Sequence, residues 1–164
     1  MRKTIFLAAL VLLGIVVMHP LGAEGQAADM QGMKHEGMAM KGDMALIGDQ
    51  VVDGVKAMAH IMVYDDAARA AMAKMGMDAT HHLMMLFVDE QSGRPIAGGS
   101  AALKVRTKDG EAGNPVKLMP MKMEMGAGFG GDFTLAEKGE FRFLVGTKLE
   151  DGQKRQFEFT FENK

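Results

Sequence analysis

Sulfur without cysteine is the first chemical fact of this sequence: 18 methionines and 5 histidines stand in a chain with no cysteine and no tryptophan. A thioether is a neutral, soft donor that binds metal without losing a proton and favours Cu(I), with Ag(I) the related xenobiotic case. Imidazole accepts copper in either oxidation state. Several of these donors are spaced to share a face. In Val55 to Tyr64, Val55, Ala57, Ala59, Ile61 and Val63 alternate with Lys56, Met58, His60, Met62 and Tyr64, the period of a strand with one face buried. Residues on one face of a strand lie roughly 6.5–7 Å apart, so two thioethers flank one imidazole.

Two further stretches can complete such a cluster. The run from Thr80 to Asp89 carries His81 and His82, one on each face of the expected strand. The run VKLMPMKMEM places Met119, Met121, Met123 and Met125 at two-residue spacing, with Pro120 arguing for an edge strand or an extended loop. The predicted site is therefore Met58, His60 and Met62, joined by His81 or His82 and by methionine from the third run, with Met121 and Met123 the candidates. It holds Cu(I) through mixed nitrogen and sulfur donors. Ahead of it, Met30, Met33, His35, Met38 and Met40 lie among glycine, lysine and acidic residues. That segment is too poor in branched and aromatic residues to bury a core, so it reads as a flexible tail that captures metal.

The elements that must position these donors follow in chain order. Arg2 and Lys3, an apolar run from Ile5 to Met18 and the small residues after Pro20 make a secretory signal peptide, 1–23, cleaved after Ala23 or Ala27. The apolar run of about 14 residues is shorter than the roughly 20 a spanning helix needs, so the mature chain is expected in the bacterial periplasm with no stable membrane anchor. Residues 24–44 form the tail and 45–164 the folded domain. Asp53-Gly54 predicts a hairpin between Leu46–Val52 and Val55–Tyr64. Asp65 and Gly76 bracket a short helix whose Ala68, Met72 and Met75 form a packing stripe. Thr80–Asp89 reads as a strand buried on both faces, Ser100–Thr107 as a strand with one wet face, and Gly126–Gly131 as a flexible reversal. Phe141, Phe143 and Val145 against Phe157, Phe159 and Phe161, around Asp151-Gly152, predict a second hairpin that supplies much of the core. Together these give an all-β, antiparallel immunoglobulin-like or cupredoxin-like sandwich of about seven strands with one short helix.

Function classes fall away on the same residues. The formal charge is −2 with no basic cluster, which excludes the footprint of a nucleic-acid binder. No nucleophile elbow, phosphate loop, HExxH or EF-hand loop is present, so the chain does not read as an enzyme. A blue-copper centre needs a cysteine thiolate, and structural zinc needs ligand spacing that is missing here.

The stretch FVDEQSGRPIAGGSAALKV, followed by GEFRFLV, resembles the YtkA-like exported immunoglobulin-type sandwiches with their D-x-x-x-G-x-P-[IV] turn. The Met/His tail and the HxM at His60 to Met62 are similar to periplasmic copper-tolerance and copper-chaperone proteins, including the PCuAC type. That family's second HxM is missing, so no ligand set is carried over. The resemblance implies a sandwich that handles copper outside the cytoplasm, in tolerance or in delivery to an exported or membrane acceptor protein. Two other uses of methionine compete with this one: an envelope interaction module with an adaptable contact surface, and an oxidant buffer that absorbs oxygen as sulfoxide.

Overall fold

The structure, a computed structural model, describes residues 44–110, 112–123 and 126–164, and of Met123 the backbone alone. The signal peptide and the tail residues Met30, Met33, His35, Met38 and Met40 lie outside the described residues, as does Met125.

Eight antiparallel strands and one helix make up the domain: β1 (Met44–Val52), β2 (Val55–Val63), α1 (Asp66–Lys74), β3 (His81–Asp89), β4 (Gly99–Thr107), β5 (Val116–Met123), β6 (Gly126–Phe133), β7 (Gly139–Leu149) and β8 (Lys154–Asn163). Their spatial order is β1-β2-β3-β6-β5-β4-β7-β8. The Glu158 N–H donates to Gln50 Oε1 at 2.8 Å, so β8 comes round to β1 and the sandwich is nearly closed like a barrel.

The expected hairpins form for the expected reasons. Asp53 (φ 46°) and Gly54 (φ 71°) both take the left-handed conformation of a two-residue type I′ turn, pairing Val52 with Val55. In the β7–β8 hairpin, Phe141, Phe143 and Val145 face Phe161, Phe159 and Phe157, and these residues point into the core. The other wall is built by Ala57, Ala59 and Ile61 of β2, Leu83, Met85 and Phe87 of β3, and Phe129 and Phe133 of β6. Small β2 side chains leave room for the rings: Phe87 meets Phe129 edge-on at 5.8 Å and Phe157 at 5.6 Å, near the separations aromatic pairs prefer.

Three expectations are corrected. Gly126–Phe133 is a strand, not a reversal, because its glycines let side chains of β3 and β5 lie across its backbone while Phe129 and Phe133 anchor its inner side. The sandwich accordingly has eight strands, one more than the sequence suggested. Met75 is 49% exposed and does not pack; Met72 and Ala68 do. Pro120 sits in a strand whose first half pairs with β4 through Val116–Leu118 and whose second half pairs with β6 from Met119 onward. It lies past the last β4 partner and so has a ladder neighbour on one side, which is where a missing N–H is tolerated.

Candidate metal centre

Residues directly opposite one another in an antiparallel pair share a face, with Cβ atoms about 4.5–5.5 Å apart. The register therefore assembles the outer face of the β1-β2-β3-β6-β5 wall row by row. One row reads Met44, Met62, His82, Asp132. The next reads Leu46, His60, Met84, Gly130, Met119. Beyond them Met58 stands opposite Leu86, and Met121 opposite Gly128. Five strands thus bring two imidazoles and several thioethers to one surface.

Two of the donors meet above Gly130. A Cβ at this position would lie 2.3 Å from Met121 Sδ and 2.8 Å from His82 Nε2. No side chain fits there, and the sulfur and the nitrogen reach one point from two strands. Both atoms therefore lie against the Gly130 backbone, and an ion shared between them would sit on the cavity side of the two donors, at the roughly 2.0–2.3 Å that metal–nitrogen and metal–sulfur bonds require. An open cavity of about 570 Å³ leads to it, lined among others by Met77, His82, Met119, Met121 and Gly130.

His82 is held from behind. Its Nδ1–H donates to Asp132 Oδ1 at 2.6 Å, and the Tyr64 hydroxyl donates to the same oxygen at 2.5 Å. The hydrogen bond from His82 holds the Asp132 carboxyl below the usual carboxylate range, against the opposing effect of burial and with help from Tyr64. Burial, with Asp132 adding to it, pushes the Tyr64 hydroxyl well above its ordinary value. An ionised carboxylate only accepts hydrogen bonds. The neutral His82 ring then carries its proton on Nδ1 and presents its lone pair on Nε2, the atom that lies with Met121 Sδ over Gly130.

His60 offers a second imidazole on the same face. Its Nδ1 is out of contact with solvent and has no hydrogen-bond partner among the described residues. Burial lowers its pKa and keeps the ring neutral, the form that binds metal.

The sequence-predicted residues separate into groups. Met58, His60, His82 and Met121 share the outer face. Met62 shares it too, but is packed beneath α1 with Tyr64, Met72 and Ala79. His81 does not join them: it points into the core, 2% exposed, stacked on Phe133 at 5.6 Å and edge-on to Phe161 at 5.7 Å. Strand alternation sends it away from its neighbour His82, and burial lowers its pKa. Met123 follows Met121 by two residues, opposite Gly126. The predicted site omitted Met84, Met119, Gly130 and the Asp132–Tyr64 support. Asp132 left no signal, because an aspartate next to glycines reads as a loop residue until β6 is known to be a strand.

Among the described residues no group of three or more histidine, cysteine, aspartate or glutamate side chains is placed to hold a metal. The outer face offers thioether sulfur with imidazole, donors that suit a soft ion. No helix among the described residues is long and apolar enough to cross a membrane.

No protein-family model matches the sequence, and no match is found among curated proteins. Solved structures do match. A copper-bound variant of FetP from uropathogenic Escherichia coli superposes with a TM-score of 0.57 at 13% identity, over 74% of this chain and 97% of its own. Copper-reconstituted P19 from Campylobacter jejuni superposes with a TM-score of 0.56 at 14% identity, over 74% and 96%. A DUF4426 family protein from Pseudomonas aeruginosa gives 0.53 at 10% identity, over 70% and 94%. At these identities the likeness is one of fold: this chain shares their overall architecture.

Proposed function

We propose that this chain is an exported copper-binding protein that holds Cu(I) on the outer methionine and histidine face of its sheet. His82 Nε2 and Met121 Sδ are the central donors, above Gly130. Met119 and Met84 stand opposite Gly130 from the two flanking strands, and His60 and Met58 extend the donor surface along β2. The observation that carries this reading is the convergence of a sulfur and a bare imidazole nitrogen on a point where no Cβ fits. Softness favours Cu(I), and Ag(I) after it, over zinc. The copper bound in FetP and P19 supports the choice of metal. The signal-like N-terminus supports export to the periplasm, and the Met30–Met40 segment serves as the accessory capture arm. Exchange of one thioether at a time between arm and sheet passes the ion on without releasing it, a property suited to copper tolerance or to delivery to an acceptor protein.

Titration of the mature protein with Cu(I) against a competing chelator tests the reading. His82→Ala and Met121→Leu should each weaken binding by about 10–100-fold while the fold survives. Affinities equal to wild type in both variants would remove the site. The exposed thioethers Met75, Met77 and Met119 (49%, 39% and 55% exposed) favour a second reading, the oxidant buffer. Hypochlorite treatment separates the two. Sulfoxide formation that spares Cu(I) binding fits buffering at those positions, and sulfoxide formation that abolishes binding places them at the metal.

A further inference from the structure

We propose that Asp132 and Tyr64 are positioning residues for the metal face: Asp132 locks His82 in the tautomer whose Nε2 lone pair looks at Met121, and Tyr64 sets how hard that carboxylate pulls. The consequence for copper rests on the function proposed above; the tautomer lock itself is a property of the metal-free protein.

The geometry is specific. His82 sits on β3 directly opposite Asp132 on β6, so the carboxylate lies beside the ring and not in front of it. The two donors converge on a single oxygen, Oδ1, one from the ring at 2.6 Å and one from the phenol at 2.5 Å. Tyr64 comes from a third place, just past the end of β2, and is 5% exposed. Three segments far apart in sequence therefore meet to fix one imidazole. Solvent hydrogen bonds would leave a histidine ring free to place its proton on either nitrogen. Here the ionised carboxylate can only accept, so the proton stays on Nδ1. A carboxylate behind a ligand imidazole fixes ring orientation and raises the basicity of the donor nitrogen. Tyr64 counters that second effect. Its hydrogen bond takes up part of the charge on Oδ1, which leaves less to draw on the His82 proton. The two neighbours thus act on the ligand nitrogen in opposite directions.

Histidine ring ¹⁵N–¹H correlation spectra of the metal-free protein, at neutral pH, read the tautomer directly, and a Cu(I) competition titration reads the consequence. Wild-type His82 should appear as the Nδ1–H tautomer. In Asp132→Asn, an amide that can donate as well as accept, the Nε2–H tautomer should gain population and Cu(I) affinity should fall about 10–100-fold. In Tyr64→Phe the Nδ1–H tautomer should persist, with its ring proton shifted downfield and Cu(I) affinity equal to or above wild type. A purely architectural role for the pair would weaken binding in both variants. Wild-type His82 found as the Nε2–H tautomer overturns the lock even if Asp132→Asn cannot be folded, because that measurement needs no variant. A correct tautomer in a protein that binds no Cu(I) overturns the copper function and leaves the lock standing. The opposite pair of results overturns the lock alone.

Discussion

Gly130 is the residue on which the candidate site depends most, and it contributes by having no side chain. Adding one methyl places a carbon 2.3 Å from Met121 Sδ and 2.8 Å from His82 Nε2, so both donors must swing away. Overpacking of this kind costs about 1–3 kcal/mol, and the displaced atoms no longer meet. Gly130→Ala is expected to lower Cu(I) affinity by more than about tenfold with the strand content of the protein unchanged by circular dichroism. Binding at wild-type strength would show that the ion is held elsewhere on the face. His81 provides the contrast. It is adjacent to His82 in sequence and on the other side of the sheet, between Phe133 and Phe161. His81→Ala should cost about 2–4 kcal/mol of stability in a urea melt, as large-to-small core changes do, and leave Cu(I) affinity as it was.

The elements differ in how much their sequence disclosed. β2 was legible because alternation of Ala57, Ala59 and Ile61 with Met58, His60 and Met62 is a period-two signal, and the following Asp65 caps α1 as expected, accepting from the Ala68 N–H at 2.7 Å. Asp65→Ala should remove about 1 kcal/mol, read as a lower thermal midpoint and as greater exposure of Met62 and Tyr64, which the helix covers. β6 was not legible. Four glycines in eight residues carry no periodic signal, and local propensity argues for a loop. Its strand state is imposed by neighbours on both sides that need a backbone without side chains to lie against. The assignment of His81 and His82 to opposite faces followed from alternation, whereas which of them met the core depended on the distant aromatic cluster, and no local pattern contains that. The convergence on Gly130 was hidden for the same reason: it joins residues 82, 121 and 130, and only the register brings them together.

At the scale of the whole molecule, acid should loosen the metal-free fold in two steps. His60 is half-buried and His81 buried, and both hold a proton less tightly than the ordinary value of 6.5. In the unfolded chain both bind protons at that ordinary value, so the unfolded state takes up more of them as pH drops below it. Stability is then fully present above about 6.5 and declines as pH falls toward the lowered folded values. Asp132 adds a second decline further into acid, since its lowered pKa favours the fold above the usual carboxylate value and loses that contribution as pH falls through the folded one. Urea midpoints measured across this range should fall monotonically on acidification; a midpoint that rises below pH 6.5 would contradict the desolvation of the two rings. The far end of the sandwich is held by different means. Arg155 forks onto the Asp151 carboxylate at 2.6 and 3.1 Å and reaches the Asp53 carbonyl at 3.3 Å, tying the β1–β2 turn to the β7–β8 turn. Arg155→Ala is expected to lower the thermal midpoint by several degrees while Cu(I) affinity stays unchanged, because β2 separates that end from His60 and Met62 by most of its length.

Strand β3 is greasy on both sides, with Leu83, Met85 and Phe87 turned one way and Met84 and Leu86 the other. Shifting such a strand by a single step exchanges its two sides, and apolar burial alone penalises that exchange little. What discriminates is the set of partners on β6, where Gly130 and Gly131 admit large neighbours and Asp132 pairs with an imidazole. A chain that refolded one step out of alignment would still look like a compact sandwich, yet would aim His82 inward. Recovery of soft-metal affinity after denaturation is therefore a stricter gauge of correct strand alignment in this protein than recovery of compactness or β-sheet signal.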